Sequence, residues 1–255
     1  MYKNFPFTNT GIFTVALLLC SLTSLSAQRD LRFGIQASPT FSGMTTDNNL
    51  INRDGTNLGL KLGLIGEYYI GETYSIHTGL GFHFNAGGTL FYEDRFTAVD
   101  IWETALDEVL ISPPDSLPGG SGFKYDLQYL EIPIGLTLRT REFGYLRYYV
   151  RPALHLGFLT RSRGSLTNSS LIDSEENFNI SKEVNGVNLG WSLGAGVEYS
   201  LSTNTKLLGG LAFQSGFADV TTDSGAFVTR EGRGPTEDDS RGKINSIVIT
   251  IGVMF

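Results

Sequence analysis

The feature that most constrains the fold of this chain is an alternation of apolar and polar side chains along several segments. Between Asn57 and Ile70, apolar residues occupy the even positions, whereas Lys61 and Glu67 occupy odd positions. Successive side chains of a β-strand point to opposite faces, so this pattern is typical of a strand with one apolar and one charged face. The same pattern predicts eight strands, over residues 31–42, 57–70, 73–85, 125–140, 145–160, 187–201, 204–217 and 244–255.

Except for Asp126, the charged side chains of these strands share one face, which also carries the histidines and 13 of the 15 strand glycines. The charged residues and histidines of this face are Arg32, Lys61, Glu67, His77, His83, Glu131, Arg139, Arg147, Arg151, His155, Glu198 and Lys206. Glycines mark the crowded side of a small barrel, because the interior of an eight-stranded barrel is only just wide enough for side chains. The apolar face then points outward, which only lipid tolerates, whereas a soluble lipocalin-like barrel needs the opposite polarity. The pattern predicts an all-β, eight-stranded antiparallel up-and-down transmembrane β-barrel with a polar, side-chain-filled lumen.

The connections between the predicted strands alternate in length. The short ones are residues 71–72, 141–144 and 202–203, and the long ones are residues 43–56, 86–124, 161–186 and 218–243. Short periplasmic turns and long extracellular loops are typical of outer-membrane barrels. Both termini fall on the short-turn side, so we expect both to be periplasmic and the long loops to face outside.

The N-terminal segment has the pattern of a secretory signal. Lys3 precedes an apolar stretch from Ile12 to Leu22, and small residues lead to Ala27. We expect cleavage after Ala27, which removes residues 1–27 as a signal peptide and leaves residues 28–255 as the barrel domain. Lipid attachment at Cys20 is the alternative, but Leu19 stands where a small residue is required. The formal net charge of −7, without a block of Lys or Arg, argues against a nucleic-acid partner.

Three segments carry a family resemblance. The runs Tyr129–Gly135, Leu193–Tyr199 and Ile247–Phe255 resemble the PorT-like family of eight-stranded outer-membrane β-barrel proteins. The resemblance covers essentially the whole mature chain, and Leu-Glu-Ile-Pro within Tyr129–Gly135 is its most specific part. It implies residence in the outer membrane of a Gram-negative envelope, with outer-membrane lipid as a partner. Some relatives are implicated in protein secretion, which implies an envelope or secretion protein as a further partner.

The predicted lumen admits a structural and a catalytic interpretation. The structural one is a buried ion network that closes the barrel, formed by Arg32, Lys61, Glu67, Glu131, Arg139, Arg147, Arg151, His155, Glu198 and Lys206. It is favoured because an unpaired charge in such an interior costs several kcal/mol. In the catalytic one, Glu131 and His155 join a serine in an acyl-transfer site. The sequence shows neither a nucleophile nor an oxyanion hole, so we assign no catalytic residue and predict that the protein is not an enzyme.

No metal or cofactor site is predicted. His77 and His83 lie on one face of one strand, but about 20 Å apart at the rise of a strand, so they cannot share a metal. Residues 47–51 fail the calcium-loop pattern, because apolar residues occupy positions that need oxygen ligands. No motif for a cofactor is present.

The longest loop is predicted to contain a helix. From Ala98 to Leu110, apolar residues including Trp102 and Leu106 recur at helical spacing. Trp102 is a candidate recognition residue, and the alternative is that this helix folds over the barrel mouth. The first and last long loops, which carry acidic stretches, are expected to be solvated and mobile.

The functional prediction is a non-enzymatic outer-membrane β-barrel protein, anchored in the membrane, whose long extracellular loops bind a partner or join a secretion or envelope assembly. The alternative is a small lipid-modifying or proteolytic outer-membrane enzyme with an active site at the outer rim. An open porin is excluded because eight strands leave no room for a channel among these side chains.

Overall fold

A computed structural model describes residues 31–107, 116–167, 177–222 and 225–255. The predicted signal peptide lies outside these residues. In chain order the elements are β1 (Leu31–Thr45), β2 (Ile51–Arg53), β3 (Asn57–Tyr69), β4 (Tyr74–Tyr92), β5 (Phe96–Val99), α1 (Glu103–Asp107), β6 (Gly122–Arg139), β7 (Leu146–Thr167), β8 (Phe178–Asn179), β9 (Val187–Ser200), β10 (Lys206–Gly216), β11 (Phe227–Arg230), β12 (Thr236–Glu237) and β13 (Lys243–Met254). Among the described residues, no helix is long and apolar enough to cross a membrane.

Eight of the strands close into an antiparallel barrel. Their order is β4-β3-β1-β13-β10-β9-β7-β6, and pairing of β4 with β6 closes the ring. First and last strands are neighbours, as the pairing of Phe41 with Ile247 shows. The predicted eight-stranded barrel is confirmed.

The two faces of the barrel wall have opposite chemistry. Outward residues such as Leu64 and Leu211 are 62% and 61% exposed, whereas the lumen residue Glu67 is 1% exposed. Glycines make room for large lumen side chains: a Cβ on Gly196 or Gly210 would overlap the hydroxyl of Tyr149. The outer surface is therefore apolar and the interior is filled, as the alternation predicts.

Two β-bulges shift the alternation near the long-loop end. An extra residue in β4 lies between His83 and Ala86, where Asn85 adopts a left-handed φ of 53°. A second extra residue lies in β7, next to the pairing of Tyr129 with Leu159. Each bulge exchanges the inward and outward positions that follow it. The alternation is interrupted at these points, so the sequence predicted strand ends at residues 85 and 160, whereas β4 and β7 continue beyond them.

Beyond the bulges, the long loops fold into a compact body. We call this body, formed by residues 46–56, 86–107, 116–127, 161–167, 177–186, 217–222 and 225–242, the head. Within it, β5, β11 and β12 form a three-stranded sheet, β2 pairs with β4, and β8 pairs with β7. Its core consists of buried apolar residues, including Leu90, Tyr92, Phe96, Trp102, Leu117, Phe123, Tyr125, Phe178, Ile180 and Val220. The expectation that the first and last long loops are merely solvated is wrong, because Ile51 and Val220 of these loops are buried in the shared apolar core.

The predicted helix at residues 98–110 is only partly present. Ala98 and Val99 belong to β5 and pair with β11, and the described helix is confined to Glu103–Asp107. Residues 108–110 lie outside the described residues. Strand pairing with β11 overrides the helical spacing here. The local pattern could not indicate this pairing, because the partner strand is more than a hundred residues away in sequence.

Trp102 lies at the turn between β5 and α1, with a left-handed φ of 63°. Its ring packs edge-on against Phe123 and Tyr125, with centroids 5.0 Å apart in each pair. The residue is 1% exposed. In this conformation the side chain of Trp102 offers no surface to a partner.

Candidate functional site

The lumen side chains form two clusters at different depths. The short-turn cluster, nearer the short connections, contains Glu67, Arg139, Arg151, Glu198 and Lys206. The mid-barrel cluster contains Lys61, His83, Glu131, His155 and Gln214. Both arise because alternate residues of neighbouring strands point inward, so residues distant in sequence meet across the lumen.

In the short-turn cluster, Arg139 bridges two carboxylates. Its guanidinium contacts Glu67, and its Nε lies 2.5 Å from Oε1 of Glu198. Arg151 reaches the other oxygen of Glu67 at 2.7 Å, and Lys206 lies 3.2 Å from Glu198. Both carboxylates are 1% exposed, so the arginine offsets charges that have no access to bulk water.

In the mid-barrel cluster, Glu131 is the shared acceptor. Nζ of Lys61 lies 2.6 Å from Oε2 of Glu131, and Nδ1 of His83 lies 3.1 Å from Oε1. Lys61 also donates to the side-chain oxygen of Gln214, and Thr40 Oγ1 lies 3.2 Å from His83 Nε2. The side-chain nitrogen of Gln214 also donates to Oε1 of Glu131 at 3.4 Å, so donors from three strands surround this carboxylate.

Two predicted network residues lie apart from both clusters. Arg147 pairs with Glu142 at 2.9 Å at the short-turn rim, where both side chains are partly exposed. The hydrogen bond from Arg147 lowers the pKa of Glu142, and a second one from Ser200 adds to this shift. Arg32 donates to the carbonyl of Asn204 at 3.3 Å and lies over the ring of Tyr69. Among the described residues, Arg32 forms no ion pair.

A serine that spacing alone could not place lies beside His155. Oγ of Ser192 is 2.7 Å from Nε2 of His155, while Nδ1 of this histidine is 3.9 Å from Glu131 and has no hydrogen-bond partner among the described residues. The serine comes from β9, and its position depends on the register between β7 and β9. The side chains of Ser192, His155 and Glu131 follow one another in space as in a catalytic triad, but the hydrogen bond between the histidine and the carboxylate is absent.

A small cavity separates the two clusters. Its volume is 90 Å³, which is room for about three water molecules. His77, Arg151, His155 and Ser192 line it. His77 lies near Thr137, with its Nδ1 3.4 Å from the hydroxyl oxygen. Within the described part of the chain, no three His, Cys, Asp or Glu side chains are placed to hold a metal ion.

A closed barrel with an apolar outside and an ion-paired lumen defines the class of outer-membrane β-barrel proteins. The chain belongs to the family described as outer membrane protein beta-barrel domain, whose model matches residues 24–222. The protein is therefore an outer-membrane β-barrel protein in contact with membrane lipid. No curated protein is significantly similar to it.

Several solved outer-membrane proteins are similar to the chain. Neisserial surface protein A (NspA) is 14% identical, with 87% of this chain and 95% of that chain covered and a TM-score of 0.41. A major outer membrane protein from Thermus thermophilus is 14% identical, with coverages of 88% and 99% and a TM-score of 0.44. OprG from Pseudomonas aeruginosa is 10% identical, with coverages of 89% and 96% and a TM-score of 0.41.

Proposed function

We propose that this protein is a non-enzymatic membrane anchor that presents its head outside the cell, where the head binds a partner in a secretion or envelope assembly. The observation that carries this proposal is the head itself. Its loops bury a continuous apolar core above a lumen filled by ion pairs, instead of leaving the barrel open. Folded loops present a fixed surface, which lowers the entropic cost of binding.

The proposal includes an orientation. We infer that residues 1–27 are removed as a signal peptide, that both termini are periplasmic, and that the head faces outward. Short turns on one side and long connections on the other support this orientation, since outer-membrane barrels place long loops outside. The resemblance to the PorT-like family supports the assignment to secretion or envelope assembly.

Single cysteines at opposite ends of the barrel test the proposed orientation. The mature chain contains no cysteine, and Glu231 and Thr203 are both exposed, at the head and at a short turn. With a membrane-impermeant maleimide on intact cells, we expect labelling of Glu231→Cys, and labelling of Thr203→Cys only after the outer membrane is permeabilised. The reverse pattern would contradict the orientation.

The same two variants test partner binding. A cysteine-linked photo-crosslinker at position 231 is expected to give a discrete adduct in living cells, whereas one at position 203 is expected to give none of that mass. Absence of an adduct from position 231 and from a second exposed head position, Glu237→Cys, would contradict binding through the head.

The Ser192–His155 pair is the observation that favours an enzyme as the second candidate function. A cavity of 90 Å³ is too small for an acyl chain, and Ser192 is 8% exposed. We therefore expect that a fluorophosphonate probe does not label the folded protein, as read by mass spectrometry. Labelling that disappears in Ser192→Ala, while Ser215→Ala remains labelled, would establish a nucleophilic serine and overturn the non-enzymatic proposal.

A further inference from the structure

A polar groove lies on the outer surface of the barrel, where β7 leaves the apolar belt. It has a volume of 500 Å³, which falls within the range of small-molecule sites. We call it the arginine groove, and its polar lining residues include Thr160, Arg161, Arg163, Asn177, Asn179 and Ser181.

The bulge in β7 places the two arginines on the outside. On the membrane-spanning part of β7, odd positions such as His155 point into the lumen, while Leu154 and Phe158 point outward. The extra residue next to Leu159 reverses this order, so that Arg161 and Arg163 are exposed and Ser162 is buried. Bulges commonly re-aim side chains in this way.

The groove lies at the level of lipid headgroups. Phe158 is 40% exposed on the outer apolar surface, and Arg161 follows it by no more than about 10 Å along the strand. Polar headgroups flank the hydrocarbon core at such a distance. Arg161 and Arg163 therefore lie just beyond the apolar outer surface, at a depth that suits contact with headgroups.

Within residues 31–107, 116–167, 177–222 and 225–255, neither arginine has a charged partner. Arg161 lies opposite Gln128 and Arg163 opposite Asp126 in the sheet, yet neither arginine forms an ion pair with any described residue. The protein carries a formal net charge of −7, so two neighbouring arginines on one strand face do not follow from a basic composition. Their positions two apart on one strand face put their Cα atoms about 7 Å apart, within reach of one headgroup.

The remaining lining supplies neutral hydrogen-bonding groups. Asn177, Asn179 and Ser181 are exposed along the opposite side of the groove. The side-chain oxygen of Asn179 accepts a hydrogen bond from the Ser181 backbone, and Thr160 donates to the carbonyl of Gln128. The amides of the asparagines and the hydroxyl of Ser181 thus add neutral hydrogen-bonding groups to the lining, and such groups suit a ligand that also carries hydroxyl or carbonyl oxygens.

We propose that the arginine groove binds the phosphate-bearing headgroup of a lipid in the membrane leaflet at the head end, with both guanidinium groups on phosphate oxygens. Arginine suits this role because its planar fork donates two parallel hydrogen bonds to phosphate. A phosphorylated glycolipid fits best, since its sugar hydroxyls match the asparagine and serine side. That this leaflet is the outer one rests on the proposed orientation.

The test compares lipid retention by matched variants of the full chain. Wild type, Arg161→Gln/Arg163→Gln and the control Arg233→Gln/Arg241→Gln are placed in phosphatidylcholine nanodiscs that contain lipid A or its dephosphorylated form. The control removes two exposed head arginines outside the groove. Bound lipid is counted by native mass spectrometry, and heat-modifiable gel migration shows that each variant is folded.

We expect wild type and control to retain lipid A in preference to its dephosphorylated form, and the groove variant to retain about tenfold less. Excess inorganic phosphate is expected not to displace the lipid. Equal retention by wild type and groove variant, equal loss in the control, or displacement by inorganic phosphate would each overturn the proposal.

The outcome is independent of the proposed function. Both nanodisc leaflets carry the lipid, so binding does not depend on which end of the barrel faces outward. A reversed maleimide labelling pattern would contradict the proposed orientation but not lipid binding by the arginine groove. Equal lipid retention by wild type and the groove variant would contradict lipid binding by the groove but not the orientation.

Discussion

Replacing Arg139 by methionine is expected to lower the free energy of unfolding by about 3–5 kcal/mol, because it leaves two buried carboxylates without their shared partner. Glu67 and Glu198 both contact this guanidinium, and both are 1% exposed. The measurement is the urea dependence of unfolding in lipid bilayers, followed by tryptophan fluorescence and by heat-modifiable gel migration.

The matched control for Arg139 is Arg147→Met at the short-turn rim. Its partner Glu142 is at the solvent-exposed rim, so the loss of unfolding free energy is expected to be much smaller than for Arg139→Met. Arg139→Lys is expected to fall between the two, because an ammonium group keeps the charge but not the fork that bridges two carboxylates. Equal losses for Arg139→Met and Arg147→Met would show that the short-turn cluster contributes no more than a surface pair.

Replacing Trp102 by alanine is expected to destabilise the head by about 3–5 kcal/mol, the usual cost of truncating a fully buried aromatic side chain. The indole contacts Phe123 and Tyr125 and lies where a Cβ on Gly164 would overlap it. Since the barrel has its own strand pairing, we expect limited proteolysis to cut the head while the barrel keeps its heat-modifiable migration.

The other tryptophan of the chain is the control. Trp191 is 43% exposed on the outer surface, so Trp191→Ala is expected to leave the head resistant to protease. A head that stays resistant in Trp102→Ala would show that the indole does not hold the core together. If the same variant also lost the crosslinked partner, the prediction that Trp102 is a recognition residue would be supported instead.

Local sequence patterns predicted the barrel because its wall obeys a two-residue period. The odd or even position of a residue in its strand was enough to assign the charged lumen residues between Lys61 and Lys206 to the inward face. Parity failed where β-bulges intervene. A single inserted residue at Asn85 or next to Leu159 reverses every later position and has no sequence pattern of its own.

Contacts across the barrel could not be predicted from the sequence, for a different reason. Predicting that Arg151 pairs with Glu67, or that Ser192 meets His155, requires the stagger of the strands and their positions around the ring. The head is a similar case, since β5 pairs with β11 although local spacing favours a helix. Such contacts join residues far apart in the chain, and no local pattern records them.

By itself, the sequence determined the class of fold and which side chains of the membrane-spanning strands point inward. Alternation of polar and apolar residues is a local property, and both lipid outside and a narrow lumen inside require it. The tertiary structure alone decided which charges pair, where the bulges turn arginines outward, and that the long loops share one core. Those outcomes depend on register, ring closure and packing between distant segments, which are properties of the assembled barrel and not of any one strand.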